Sequence, residues 1–301
     1  YSFAAGIGLF ITFVGLVNSG IVVLGTEGAP VHVGTLNSPE VMLAISGFLI
    51  ISIMELRKIK GAILFGIIIV SIIGFISGLA TYPTAIFSLP PDISPVFLQL
   101  DIMGALSWGM FAVILTIFTM AFLDTMGGLI GVSAQAGFLD DEGNLPEIEK
   151  PFLADALSNI FAGLAGTTTS GAFMESATGV LSGGRTGLTA LFVALLFAMS
   201  LFLTPLFAAI PAAATGPAMI MVGLIMMQPV VKINFSDLSE MIPAFAVIIL
   251  MSFTYNIGVG ICSGFVLYPL FKIISGKKDD INPYSWILFL MCLLFFIFYP
   301  Y

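Results

Sequence analysis

Two carboxylates stand out because each lies in a long stretch with no other charge. Asp124 is the only charged residue in 102–139, and Glu175 is the only one in 156–184. An ionisable group at bilayer depth costs several kcal/mol unless it is paired or hydrated, so it marks a pathway or a binding site by default. If these stretches cross a membrane, both carboxylates are candidates for ligand binding and proton exchange. The alternative is that each only hydrogen-bonds a neighbouring helix.

The residues around Glu175 predict a break in a helix. Residues 167–179 read TTTSGAFMESATG, with six hydroxyl residues and two glycines in thirteen positions. Hydroxyl and β-branched residues disfavour helix, and Gly171 adds backbone freedom. We expect a helix to restart near Phe173, with Glu175 in its first turn and unpaired backbone N–H groups beside it. Phe173 could stack on a ligand, or its ring could face lipid or the protein core.

Asp124 begins a stretch of small residues, DTMGGLIG. Such a face on a membrane helix allows the backbone of another segment to approach closely.

Composition predicts a polytopic helical membrane protein. The 301 residues are 59% hydrophobic and 9% charged, with a mean hydropathy of +1.14, whereas soluble proteins carry about 25% charged residues. No basic stripe indicates a nucleic-acid partner. Cys262 and Cys292 lie in apolar segments and His32 is the only histidine, so we expect no metal and no cofactor.

We place ten membrane spans along the chain, most of them on apolar stretches of about 17 or more residues, since about 30 Å of hydrocarbon needs roughly 20 residues. They are predicted near 3–25, 40–56, 61–79, 104–137, 151–166, 170–184, 187–209, 213–231, 238–254 and 257–275, followed by an apolar tail at 285–299. With these spans all nine Lys and Arg residues fall on one side. The positive-inside rule makes that side cytoplasmic in a multi-pass cell-membrane protein, plasma or inner. The side of the C-terminus stays open.

Two further charges have simpler interpretations. Arg185, in GGRTG, is expected to anchor a cytoplasmic turn, and Asp155 is expected to lie at the interface or to cap a helix end.

The strings DTMGGLIGVSAQAGFLDDEGNLP and TTTSGAFMESATGVLSGGRTGLTA resemble the guanine/hypoxanthine (AzgA-type) purine permeases. These belong to the xanthine–uracil permease and nucleobase–ascorbate transporter superfamily. The resemblance extends from Tyr1 to about Lys278. It implies an all-α membrane fold of fourteen spans in two inverted repeats of seven, of which this chain holds spans 5–14 and lacks the first four.

The same resemblance implies a division into domains. The gate domain would comprise 1–79 (spans 5–7) and 211–278 (spans 12–14). The second half of the core domain would be 104–210 (spans 8–11), and 279–301 would be a C-terminal apolar tail.

The resemblance also places the site. The base would bind between span 8 and short β-strands in spans 3 and 10, of which 167–173 is the span-10 strand. Glu175 would be the main ligand, and Asp124 a second ligand or proton site. Where the uracil branch has a histidine, this chain has Gly128, so proton coupling is left to Asp124 and Glu175. The remaining implied substrate-binding residues are Thr125, Thr169, Ser170, Gly171, Ala172 and Phe173.

The expected function is import of a purine nucleobase across the lipid bilayer, with H⁺ or Na⁺ as the coupling ion. The resemblance implies an elevator mechanism and leaves open a homodimer through the gate domain. An anion carrier of the sulfate-permease type is an alternative that Glu175 disfavours, and a passive channel is another. An intramembrane protease would need a Ser–His pair or two membrane aspartates, so we expect no enzyme. Half of the core would be missing, so we expect no uptake by the 301 residues alone.

Overall fold

The computed structural model describes residues 1–25, 30–83, 85–107, 110–140, 144–173 and 176–298. Within these residues the regular structure is almost entirely helical, with one two-stranded sheet. The helices are α1 (Ser2–Asn18), α2 (Pro39–Leu56), α3 (Ala62–Ile76), α4 (Ile102–Ala105), α5 (Phe111–Ala136), α6 (Glu149–Ala165), α7 (Ser176–Leu181), α8 (Gly187–Ser200), α9 (Thr204–Ala208), α10 (Ala212–Met226), α11 (Leu238–Phe253), α12 (Ile257–Ile274) and α13 (Ser285–Phe298). Short 3₁₀ turns occur at Leu201–Leu203, Gln228–Lys232 and Lys278–Asp280.

Five helical segments in the described part are long and apolar enough to cross a membrane. They are Pro39–Leu56, Val113–Ala134, Gly187–Ala208, Ala212–Lys232 and Ile257–Ile274. The helices α1, α3, α11 and α13 are apolar but shorter. Each predicted span contains a helix, which confirms the prediction of a helical, multi-pass membrane protein.

The predicted first span, 3–25, is too long. The helix ends at Asn18, where the Ser19 hydroxyl donates to the carbonyl of Gly15 and Gly20 adopts a φ of +69°. Strand β1 (Val22–Leu24) then pairs antiparallel with β2 (Val31–Val33). Apolar β-branched residues suit a strand as well as a membrane helix, so hydropathy alone did not distinguish the two.

The predicted span 104–137 also begins later than expected. Its long helix α5 starts at Phe111, after the one-turn helix α4. The Asp101 carboxylate caps α4 by accepting from the Gly104 amide at 2.8 Å. Helix α5 ends as predicted, because Gly137 takes a left-handed φ of +72°.

The chain divides into two compact units. The first unit comprises residues 1–7, 92–185 and 227–301, and the second comprises 8–91 and 186–226.

In the second unit, α2, α3 and α10 pack together around small residues. Val70 and Ile51 are fully buried there. The backbone of α1 approaches α10 so closely that a Cβ on Gly15 would lie 2.7 Å from the Gly216 carbonyl oxygen. Glycine is therefore required at this contact.

In the first unit, α12 packs against α11, α13 and α5. A Cβ on Gly260 would lie 2.5 Å from the Cβ of Met251, so glycine permits the close approach of α11 and α12. Cys262 and Cys292 are both fully buried in this unit.

A cluster of four charges joins the start of α11 to the end of α12. The Lys272 ammonium is 2% exposed, and it donates to the Glu240 carboxylate at 2.9 Å. Asp237 lies 3.8 Å from Lys272, and it also accepts from Lys277 at 2.5 Å. Because Lys272 is buried while its partners are partly hydrated, we expect most of the stabilisation to depend on Lys272.

Acid should weaken this cluster. Hydrogen bonds from Lys277 and Ser239 hold the pKa of the Asp237 carboxyl well below its usual range. A depressed carboxyl pKa contributes stability above the unfolded value of about 3.9, and that stability is lost as pH falls toward the folded value. We therefore expect Asp237→Asn to lower the melting temperature of the purified protein at pH 7. The difference from wild type should shrink below about pH 4, and a difference that grows on acidification would contradict this account.

Candidate functional site

The predicted break in the chain is present immediately after α6. Gly166 has a φ of +74°, and the Thr167 amide bonds back to the carbonyl of Ala162 at 3.0 Å, so the helix closes with a glycine cap. Residues 167–173 have no regular secondary structure, and α7 begins at Ser176. The hydroxyl-rich sequence therefore predicted the position of the break.

The strand predicted at 167–173 is not formed. A β-strand is defined by ladder hydrogen bonds to a neighbouring strand, and in the described part of the chain the only ladder joins β1 to β2. The backbone amide of Ser170 is instead met by a side chain, the amide oxygen of Asn159, at 3.0 Å.

Helix α5 lies directly against the non-helical segment. A Cβ on Gly128 would lie 2.7 Å from the Ala172 carbonyl oxygen, so only glycine permits this approach. A Cβ on Gly171 would lie 3.6 Å from Thr125 Oγ1 and 3.7 Å from Asp124 Oδ2. The small-residue face of α5 thus receives the segment, as predicted, and Asp124 is beside it.

A polar network connects α5, α6 and the segment. The Thr125 hydroxyl, 2% exposed, donates to Asp155 Oδ2 at 3.1 Å. Asn159 Nδ2 donates to the same carboxylate oxygen at 3.1 Å and to the Asp155 carbonyl at 3.0 Å. The hydroxyls of Ser158 and Ser170 share a hydrogen bond of 2.6 Å. The segment is therefore held in place by side chains of two helices.

The interpretation of Asp155 as a capping residue is wrong. Ile148 is the N-cap residue of α6, and Asp155 lies six residues after Glu149, about 9 Å along the helix. Its carboxylate bonds sideways to α5 and to Asn159 rather than to a helix end. The sequence signal that could have found it is the spacing of Asp155 and Asn159, which places both on one helix face.

Only some of the residues predicted for the site lie close together in the structure. Asp124, Thr125, Ser170, Gly171 and Ala172 come together. Thr169 and Phe173 are exposed, and the Phe173 ring is 69% exposed. Glu175 lies outside the described residues, so its role as the main ligand stays a prediction.

Arg185 does more than occupy a turn. Its guanidinium Nη1 donates to the carbonyl of Ala136, the last residue of α5, at 3.0 Å. A cation at a helix C-terminus satisfies an orphan carbonyl and complements the helix dipole. The chain that carries 167–173 therefore contacts α5 a second time, at its C-terminal end.

The arrangement suits a neutral, polar ligand better than a metal ion. In the residues that the structure describes, no group of three His, Cys, Asp or Glu side chains could hold a metal. Asp124 is exposed, and its carboxylate lies beside a backbone segment that has no regular secondary structure. Carboxylate acceptors beside backbone donors and acceptors can bind a solute that carries adjacent N–H and C=O groups.

Comparison with known proteins identifies the family of the chain. The family model Xan_ur_permease, described as a permease family, matches residues 1–298. The putative permease MJ0326 of Methanocaldococcus jannaschii is 42% identical over 98% of this chain and 67% of its own length. The adenine permease AdeP of Escherichia coli is 37% identical over 98% of this chain and 66% of its own. The guanine/hypoxanthine permease PbuO of Bacillus subtilis is 38% identical over 99% of this chain and 69% of its own.

The chain thus spans about two thirds of the length of these relatives. The match nevertheless covers nearly every residue of this sequence and includes both strings on which the resemblance rested. The family and its named relatives are permeases and not enzymes. The chain belongs to the xanthine/uracil permease family.

Proposed function

We propose that this protein imports purine nucleobases, guanine or hypoxanthine first and adenine as a further candidate, by proton symport. The observation that carries the proposal is the packing of the non-helical segment 167–173 against Asp124 and Thr125 of α5. The relatives named as guanine/hypoxanthine and adenine permeases support the substrate class.

The chemistry of a purine suits such a site. The base is flat and neutral, and it carries paired donors and acceptors on its edge. In this proposal the carboxylate of Glu175 accepts the N1–H and 2-amino groups of guanine, and backbone groups of 167–173 bind the remaining edge. Asp124 is a second ligand or the proton site, and the exposed ring of Phe173 is available for stacking.

The proposed architecture is that of the family. Residues 1–79 and 211–278 belong to a gate domain and 104–210 to half of a core domain, within two inverted repeats of seven spans. The core domain moves as an elevator relative to the gate domain. The gate domain also forms the surface of a homodimer. The basic loops face the cytoplasm.

The test is uptake of radiolabelled guanine, hypoxanthine and adenine by cells that express the gene product carrying this sequence and lack their own purine permeases. We expect Glu175→Gln to reduce the initial rate by about a hundredfold, and Asp124→Asn by about tenfold or more, as the loss of charged hydrogen bonds to a ligand predicts. Glu147→Gln is the matched control, because Glu147 forms only an exposed ion pair with Lys150.

Three results would contradict parts of the proposal. Wild-type-like uptake by Glu175→Gln would remove that residue from the site. Uptake that depends on a Na⁺ gradient and resists a protonophore would replace H⁺ by Na⁺. Uptake of labelled sulfate without uptake of any purine would favour an anion carrier.

A further inference from the structure

Asn159 forms hydrogen bonds to groups that lie on two sides of the site. Its Oδ1 accepts from the Ser170 amide at 3.0 Å, and its Nδ2 donates to Asp155. The orientation of this side-chain amide follows from chemistry, since a backbone N–H needs an acceptor and a carboxylate needs a donor. Asn159 therefore joins α6 to the non-helical segment with its amide oxygen toward Ser170 and its amide nitrogen toward Asp155.

The segment needs such a bridge because its own backbone does not hold it. Residues 167–173 have no regular secondary structure, and backbone bonds to the neighbouring helices occur only at their two ends, at Thr167 and Phe173, among the residues that the structure describes. Non-helical backbone at membrane depth is tolerated only where protein or a watery cavity satisfies it. The amide of Ser170 directly precedes Gly171, which lies beside Thr125 and Asp124. The position of Ser170 thus sets the distance between the segment and α5.

Asp155 completes the connection on the other side. Its Oδ2 accepts from Asn159 and from Thr125, the residue that follows Asp124 in α5. A fixed carboxylate that accepts two hydrogen bonds orients both donors, and such charge-assisted bonds are about twice as strong as neutral ones. The path from α5 to the segment therefore runs through Thr125, Asp155, Asn159 and Ser170.

We propose that Asn159 is a positioning residue of the transport site: acting through Asp155, it holds Ser170 and Gly171 at the distance from Asp124 that substrate binding requires. This inference rests on the proposed function. It assigns a role to a residue that touches neither substrate nor proton.

The charges around Asn159 make the inference testable by a single-atom change. Asn159→Asp puts a second carboxylate about 3 Å from Asp155, and two carboxylates so close cannot both ionise. Among the residues that the structure describes, the charged group of α5 beside this network is Asp124, which is also acidic. No charged residue occurs in 167–173. The variant can therefore restore the Asn159 geometry only by binding a proton.

The experiment compares Asn159→Asp, Asp155→Asn and the double variant that exchanges the two residues. We expect Asn159→Asp to raise the KM for purine uptake about tenfold or more at pH 7.5, with a smaller effect on the maximal rate and partial recovery at pH 5.5. The exchanged pair can rebuild the bond between the two side chains and the bond from Ser170, because its asparagine can donate to its aspartate and its aspartate can accept from the Ser170 amide. It loses only the bond that Asn159 donates to the Asp155 carbonyl. We expect its KM to return to within about threefold of wild type.

The matched control is Asn144→Asp. Asn144 also donates to an aspartate, Asp140, at 3.4 Å, but in an exposed loop, so we expect its KM to be unchanged. An exchanged pair no better than the worse single variant would overturn the inference. So would an Asn159→Asp variant with wild-type KM at both pH values.

A second readout does not need transport. In membranes we expect a cysteine at Thr169, which is exposed in the wild type, to react with a small maleimide at a different rate once Asn159→Asp releases the segment. The rate should return in the exchanged pair. Cys262 and Cys292 are fully buried, so these two cysteines should contribute little background labelling. If the wild type imports no purine but the labelling follows this pattern, the proposed function fails while the positioning role stands. An unchanged labelling rate in Asn159→Asp would overturn the positioning role itself.

Discussion

Replacing Gly128 with valine should abolish purine uptake while the protein still reaches the membrane. A Cβ at this position would lie 2.7 Å from the Ala172 carbonyl oxygen, and that oxygen is backbone, so it cannot rotate away. Either α5 or the segment 167–173 must shift, which moves Asp124 away from Gly171. We expect Gly128→Ala to reduce the uptake rate by about tenfold and Gly128→Val to bring it near background, as overpacking at a closely packed contact predicts.

The control for this series is Gly163→Ala. Gly163 is also a helical glycine in the first unit, but a Cβ there would meet nothing within 4 Å. Its uptake rate should equal that of the wild type. The amount of each variant in purified membranes and its elution in detergent separate a damaged site from a damaged fold. A Gly128→Val protein with wild-type rate and KM would show that the segment does not lie against α5 during transport.

Replacing Lys272 should cause the largest loss of stability among the charged residues of the α11–α12 cluster. Lys272 is 2% exposed, and its removal leaves the Glu240 carboxylate without its cation at 2.9 Å. Breaking a buried pair costs about 3–5 kcal/mol, and partial hydration of the carboxylates reduces this to about 2 kcal/mol. We expect Lys272→Ala to lower the apparent melting temperature by roughly 4–8 °C.

Lys277→Ala is the comparison, because Lys277 bonds to the same cluster but is 46% exposed. We expect it to change the melting temperature little. Thermal denaturation of the purified proteins, followed by size-exclusion chromatography after heating, measures both. Equal losses for the two variants would mean that burial of Lys272 does not govern the stability of the cluster.

Much of the fold could be predicted from the sequence because membrane helices are long and apolar. The helices α2, α3 and α12 begin and end within a few residues of their predicted spans. The hairpin at Val22–Leu24 could not be predicted in the same way, since a short apolar strand has the composition of a helix end. Its existence depends on pairing with residues about ten positions later.

The same distinction applies to the site: features set by local residues could be predicted, and features that depend on packing between elements could not be predicted as directly. The break at 167–173 and the close approach at Gly128 were both predictable, because glycine and hydroxyl residues act on their own backbone. The participation of Asp155 and Asn159 was only partly predictable: their spacing places both on one face of α6, but it does not show that this face meets α5. The absence of a strand at 167–173 has the same origin, since a strand requires a neighbour and no local residue type can supply one.

The bond between Arg185 and the last carbonyl of α5 has a mechanical consequence. The chain from 167 to 185 contacts α5 at two levels, near Gly128 and at Ala136, which are eight residues or about 12 Å apart along the helix. A segment fastened at two levels can neither rotate about its own axis nor slide along its neighbour unless one contact breaks. We therefore expect the segment 167–173 and α5 to move together as long as both contacts persist.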